Sequence, residues 1–316
     1  MIWLIWMEKN LCYNRGMENG NESESEIRKL RLEEFPTSVM EMADPPKELY
    51  LKGILPDPNE FTYLTVVGSR RVTRYGQETC EALIRGLTGH PIAIVSGLAI
   101  GTDTVAHKSA LDANLPTIGI PGSGLDRSVL HPSSNRRLAD RIVEVGGALL
   151  SELPPMAPAG IHTFPRRNRI MAGLSKAILI IEAGEKSGTL ITARLALDYN
   201  REVGAVPGSI FSPQSYGTNQ LIRQGATPIT TGSDLLEMLG FKTTIDEPQT
   251  LDLNLLSNTE RTIVDLLSIE PLPRDELIRQ LARPTSETNV LLGTMEIKGL
   301  IKETLGEIRL QTSLQK

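Results

Sequence analysis

Only two cysteines, Cys12 and Cys80, occur in the 316 residues, which excludes a disulfide framework and a thiolate-rich metal cluster. The four histidines, His90, His107, His131 and His162, fall in no zinc-binding spacing. A chain without a structural metal or bound cofactor, working in the reducing cytoplasm, is therefore expected. Long hydrophobic runs are missing too. The opening MIWLIWM is apolar for seven residues before Glu8, Lys9 and Asn10, too short to cross a bilayer and without the charged-then-apolar order of a signal peptide. Membranes are not expected as partners. Residues 14–29, NRGMENGNESESEIRK, hold too little apolar surface to pack and read as disordered, or as lying ahead of a translation start at Met17.

An excess of positive charge is also lacking, since the net charge is −5. Taken by region, residues 1–60 carry −5, residues 61–240 carry +3 and residues 241–316 carry −3. The middle is thus the basic part, which is where a polyanion would bind. The remaining composition, 40% hydrophobic and 22% charged, is that of a globular protein with room for two domains.

From residue 61 short apolar strands alternate with helices, and the junctions carry Gly, Ser or Thr. Strands are predicted at Phe61–Val67, Ile92–Val95, Thr117–Ile120, Ala148–Ser151, Ala177–Glu182 and Glu202–Val206. Helices are predicted at Gly76–Leu87, Thr104–Asp112, Asn168–Gly173 and Leu190–Tyr199. Continuous apolar strands suit a sheet covered on both faces, so the expected fold is α/β, a doubly wound, mainly parallel, extended Rossmann-like sheet. Ligands of such sheets bind beyond the carboxyl ends of the strands. Four small-residue loops, GSRR (68–71), SGLAIGTD (96–103), PGSGLD (121–126) and EAGEKSGT (182–189), are expected on that rim. Residues 241–256 lose the rhythm and read as a linker, and 257–316 reads as three helices and a ribbon, a winged helix. Its presumed recognition helix carries Glu287 and Glu296 against Lys298, which disfavours tight duplex binding.

Chemistry concentrates in 161–191, IHTFPRRNRIMAGLSKAILIIEAGEKSGTLI. Arg166, Arg167 and Arg169, read as exposed charges, suit forked contacts to phosphate, Asn168 both donates and accepts, and Phe164 offers a flat face for a nucleobase. GEKSGT lacks the Gly that a P-loop needs directly before its Lys, because Glu185 stands there, so an ATPase is not expected. Ser187, Gly188 and Thr189 read instead as a helix start whose N–H groups could hold a phosphate, or as a plain cap. No loop has the full dinucleotide fingerprint, so a nicotinamide cofactor is not expected. Asp103, His107, His162 and Glu182 form no nucleophile–base pair by spacing, and Asp103 reads as a helix cap.

VVGSRRVTRYG (66–76), VSGLAIGTDTVAHKSAL (95–111), IGIPGSGLDRSVLHPSSNRRL (118–138), SELPP (151–155), FPRRNRIMAGLSKAILIIEAGEKSGTLITARLA (164–196), VPGS (206–209) and GTNQLIRQGA (217–226) resemble, in order and spacing, the DNA-processing protein A (DprA/Smf) family. The resemblance covers about 35–240. It implies an extended Rossmann fold that binds single-stranded DNA without sequence preference, is no enzyme, dimerises through that domain and loads the RecA recombinase on incoming strands in natural transformation. It implies a DNA site made of Gly68, Ser69 and Arg70, of Ser96, Gly97 and Gly101, of Phe164, Arg166, Arg167, Asn168 and Arg169, of Ser187, Gly188 and Thr189, and of Asn219. The helical domain often found ahead of the fold in this family is not recognisable in residues 1–33. The expected organisation is a disordered or atypical segment over 1–33, the DNA-binding domain over 34–240, a linker over 241–256 and a winged-helix-like domain over 257–316. The alternative is a nucleotide phosphoribohydrolase of related fold, but Ile191 and Thr192 stand where that family places its acidic catalytic residues.

Overall fold

The computed structural model describes residues 26–242, 256–304 and 306–310. Of the residues 14–29 expected to be disordered, 14–25 lie outside the described residues, as does most of the expected linker, whereas Arg28–Lys29 form a strand. The chain divides into two compact units after Lys242.

The first unit is built on a nine-stranded sheet in the order β1-β2-β6-β5-β4-β3-β7-β8-β9. The strands are β1 (Arg28–Lys29), β2 (Tyr50–Gly53), β3 (Thr62–Val67), β4 (Ile92–Ser96), β5 (Thr117–Gly119), β6 (Ala148–Ser151), β7 (Ala177–Ile180), β8 (Glu202–Ala205) and β9 (Thr227–Pro228). β6 through β9 in that order pair in parallel, and β1 and β2 add an antiparallel edge beside β6. The helices are α1 (Thr37–Met40), α2 (Arg74–Arg85), α3 (Thr102–Asp112), α4 (Arg136–Glu144), α5 (Thr163–Leu174), α6 (Thr189–Asp198), α7 (Tyr216–Arg223) and α8 (Gly232–Met238).

The period-two direction of side chains in a strand sorts the apolar residues onto two faces. In β7, Ile178 and Ile180 join a core with Ile170, Met171, Ala193 and Leu221 from α5, α6 and α7. The alternate residues Ala177 and Leu179 join Leu83, Ile84, Ala106 and Leu235 from α2, α3 and α8 on the other face. The sheet is therefore covered on both sides, as its unbroken apolar strands require. The fold starts ahead of residue 34: β1 pairs Arg28 with Leu51, and Leu30 is buried. α5 begins five residues earlier than the expected Asn168, and Pro165 falls in its first turn, where a missing N–H costs no helical hydrogen bond.

The second unit holds α9 (Asn258–Ile269), β10 (Leu272–Pro273), α10 (Arg274–Leu281), α11 (Thr285–Ile297), β11 (Ile301–Thr304) and β12 (Glu307–Leu310). Ser257 and Glu260 cap the start of α9 reciprocally. Ile263, Val264, Leu267, Leu277, Leu292 and Met295 close a core over the β10-β12-β11 ribbon, giving a winged helix. Among the described residues of both units, no helix is long and apolar enough to cross a membrane.

Candidate nucleic-acid interface

The chain runs from β3 outward to β4, β5 and β6, then returns to place β7 against the other side of β3. At that reversal the loops after β3 and β7 diverge, which opens a crevice beyond the strand ends. The crevice measures about 600 Å³ and is lined by the 68–71 loop, by Ala99 and Asp103 after β4, by Ile161, Phe164, Arg167 and Asn168 of the α5 start, and by Lys186–Thr189. That volume lies within the roughly 300–1,000 Å³ of ordinary ligand sites, on the scale of a nucleotide.

The glycines of the rim are there for close approach. A Cβ on Gly68 would sit 2.5 Å from Thr102 Oγ1, and one on Gly101, whose φ is +81°, would overlap the Ser69 and Arg70 backbone. The 68–71 loop and the start of α3 thus lie against each other, and the Thr102 amide donates to the Ser69 carbonyl at 3.1 Å. Ser96 is buried, and its hydroxyl donates to the Val66 carbonyl at 2.7 Å, tying β4 to β3. The loop after β3 is held from beneath by Glu182, which accepts from the Thr73 amide at 2.9 Å and from the Thr73 hydroxyl. Glu182 is therefore an anchor for the start of α2 rather than a free acid.

The three arginines of FPRRNR, expected to be exposed, separate by depth. Arg167 is buried, and its Nη1 donates to the Ile120 carbonyl at 2.6 Å and to the Gly97 carbonyl, joining the ends of β4 and β5. A side chain on Gly97 would overlap that guanidinium, which explains the glycine. Arg169 has 11% of its side chain exposed and is spent on Glu152 and the Asp44 carbonyl. Arg166 alone keeps more than half of its side chain, 57%, in solvent, leaning on Glu152 at 3.2 Å. The cause is helical spacing: α5 already runs through these residues, so 167 and 170 turn inward together while 166 faces out.

Phe164 is not a free platform. Arg70 places its guanidinium carbon 5.1 Å from the ring centroid, the His131 ring lies at 5.9 Å, and Gly122 abuts the ring so closely that a Cβ there would stand 2.6 Å from it. The ring thus holds Arg70 at the crevice edge by a cation–π contact, and the 121–126 loop backs Phe164 instead of lining the crevice. Asn168 Oδ1 accepts from Arg167 Nε at 3.0 Å. Asp103, expected as a helix cap, lies two residues past it, in the first turn: Gly101 is the cap position, and the buried Asp103 carboxylate accepts from the Gly97 and Ala99 amides at 3.1 and 3.3 Å. Burial pushes its carboxyl above the usual range, and the opposing pull of Arg167 does not cancel that.

At the α6 start, the Ser187 hydroxyl accepts from the Thr189 amide at 3.2 Å, and the Thr189 hydroxyl donates to the Gly68 carbonyl at 3.1 Å. This turn is partly self-capped, and Ser187, Gly188 and Thr189 join the β7 and β3 loops. Asn219 lies apart from the crevice lining: the Gly208 amide donates to its Oδ1 at 3.2 Å and the Gly208 carbonyl accepts from its Nδ2 at 3.0 Å, so it staples the loop after β8.

Arg71 and Lys186 line the crevice and were missed by sequence reasoning. Arg71 follows Arg70 in GSRR, and Lys186 stands in the GEKSGT stretch set aside for lacking P-loop spacing. Arg70, Arg71 and Lys186 are exposed and make no ion pair among the described residues, so the crevice mouth is cationic. Among the described residues, Asp103 is the one carboxylate in its lining, and Thr192, buried with its hydroxyl unpartnered, stands where the alternative hydrolase would need an acid.

Residues 27–240 match the family described as DNA recombination-mediator protein A, and residues 247–306 match the DprA winged helix domain. Protein Smf of Escherichia coli (strain K12) is 44% identical over 207 residues, which cover 66% of this chain and 54% of that protein. The chain thus spans about half the length of that relative. DNA processing protein DprA of Streptococcus pneumoniae is 41% identical over 207 residues, covering 66% of this chain and 72% of the relative. Its X-ray structure aligns at a TM-score of 0.63 with 36% identity, over 71% of this chain and 80% of that one. DNA processing protein A from Helicobacter pylori, described for its unique single-stranded DNA binding mode, aligns at 0.61 with 30% identity, over 69% and 97%. With a family match that takes in the whole doubly wound unit and a second that takes in the winged helix, this chain belongs to the DNA recombination-mediator protein A family.

Proposed function

We propose that this protein binds single-stranded DNA without sequence preference in the crevice between β3 and β7, and mediates recombination by passing the strand to RecA recombinase. The observation that carries the reading is the cationic mouth of Arg70, Arg71 and Lys186 over a crevice of nucleotide size, with Phe164 setting Arg70 in place. Such a site meets phosphates and the faces of bases and has no helix poised for a major groove, which favours unpaired over paired strands. The single-stranded DNA binding mode of the Helicobacter pylori protein supports the same partner. Hand-over to RecA, work in the cytoplasm during transformation, and a homodimer formed by the Rossmann-like unit are carried from the family resemblance. The recombination-mediator description of the matched family supports the first of these. The protein acts here as a binder, without catalysis: Asp103 is committed to backbone amides and Glu182 to Thr73.

Titration against oligothymidylate and a duplex of equal length at two salt concentrations tests this. Single strands are expected to bind tighter, with log K falling by about 0.7 per phosphate contacted for each decade of salt. Arg70→Ala is expected to weaken binding and reduce that slope by about 0.7 while the melting temperature stays within a degree or two, since exposed charges contribute little to stability. Equal or tighter duplex binding overturns the reading.

A chain ending at Lys242 is expected to keep its single-strand affinity, because the crevice and the central basic charge lie in the first unit and α11 carries Glu287 and Glu296 with no basic residue. Loss of most of the affinity in a truncated protein with an unchanged circular dichroism spectrum would move the site to the winged helix.

A further inference from the structure

The loop between β8 and α7 ends in a tip that the crevice does not use. Ile210 is 84% exposed and Phe211 is 90% exposed, whereas the other exposed large aromatics among the described residues, Tyr75 and Tyr216, are about half covered. Covering a phenylalanine ring that stands in water gains roughly 1.5–3 kcal/mol, so this ring is available to a partner.

The tip is ordered without being buried. The Phe211 amide donates to Ser209 Oγ at 3.2 Å and the Ser212 amide donates to the Ser209 carbonyl at 3.0 Å, forming a closed turn. Its base is fixed by Asn219 on Gly208 and by the Tyr75 hydroxyl, which donates to the Pro207 carbonyl at 2.6 Å. The far end of the loop meets the crevice: the Ala183 amide donates to the Gln214 carbonyl at 2.8 Å, and Gln214 lines the crevice wall. Phe211 is therefore three residues along a pinned loop from Gln214 of the crevice wall.

The geometry points to Phe211 as a second stacking platform, on which a base of a single strand rests after the strand leaves the crevice past Gln214. This rests on the reading of the crevice as a single-strand site. A base suits the tip better than a phosphate does, because residues 207–216 carry no charge and offer an apolar side chain and a ring. It also gives Asn219 a role at a distance, as the residue that holds the tip's base.

The test uses the full chain and oligothymidylates of increasing length, read by fluorescence anisotropy at several salt concentrations. Phe211→Ala is expected to leave the shortest bound oligomer unaffected and to weaken longer ones by roughly 5- to 150-fold, the loss of one stacked base. The salt slope is expected to stay that of the parent, since no phosphate contact is removed, in contrast to Arg70→Ala. Phe211→Trp is expected to restore binding and Phe211→Leu not to, because a ring rather than apolar bulk is required. If the parent binds single strands and Phe211→Ala binds every length equally well, this inference fails and the crevice reading stands. If the parent does not bind single strands, both fail. If Phe211→Ala lowers the sedimenting mass, or Leu serves as well as Trp, the tip is a protein contact and the stacking assignment is overturned.

Discussion

Replacing Arg167 with alanine is expected to lower the stability of the first unit by about 3–5 kcal/mol, an unusually large effect for an arginine in a basic motif. Its guanidinium is buried, and it is the donor on which the Gly97 and Ile120 carbonyls rely. Removing it leaves two buried carbonyls without that partner, each costing about 1–3 kcal/mol, and withdraws the cation that faces the buried Asp103 carboxylate. For a unit of this size the loss corresponds to a fall in melting temperature of roughly 10 °C. Arg166→Ala removes a half-exposed charge and is expected to cost less than about 1 kcal/mol. Thermal denaturation of the two variants side by side decides the matter. Equal melting temperatures, with DNA binding lost in Arg167→Ala alone, would make Arg167 a direct contact instead of the clamp that positions the ends of β4 and β5.

The contrast between neighbours in FPRRNR shows what can be read from residues and what cannot. Apolar strands with small-residue junctions specify a doubly wound sheet, because strands buried on both faces have few other arrangements. The three loops at 68–71, 96–103 and 182–189 follow from that topology alone, since the strand ends must converge where the order reverses. Depth does not follow. Whether an arginine faces solvent depends on where its helix starts, and an early start at Thr163 turns Arg167 inward. Arg70 over Phe164 is likewise a meeting of residues far apart in sequence. Asn219 reads as a ligand from its motif, yet its amide closes on Gly208, a pairing set by the loop conformation after β8. Phe211 carries no motif signal at all; that it stays exposed after folding is set by the turn at Ser209–Ser212.

Acidification is expected to destabilise the first unit through His107, which packs against the start of β5. Its ring is fully buried in α3, with Nδ1 2.8 Å from the Thr117 hydroxyl and Nε2 without a hydrogen-bond partner. Burial, aided by the nearby Arg167 charge and opposed by the Ser96 backbone, depresses its pKa from 6.5 to about 3. Between those values the unfolded chain takes up a proton at this residue and the folded chain does not, so the contribution is fully present above pH 6.5 and is lost as the pH falls toward 3. The slope is about 1.4 kcal/mol per pH unit, or roughly 2 kcal/mol between pH 6.5 and 5. Carboxylates held low by their partners, Glu34 and Glu260 among them, add acid sensitivity of their own, so the comparison has to be made against a variant. His107→Gln removes the titrating ring and leaves those carboxylates in place. Urea denaturation at pH 7.5 and pH 5 is expected to show a stability loss about 2 kcal/mol smaller in the variant than in the parent, whatever the variant's stability at neutral pH. Parallel losses in the two proteins would mean that His107 takes up its proton in the folded state, and that the space between α3, β4 and β5 admits a charge that its burial should exclude.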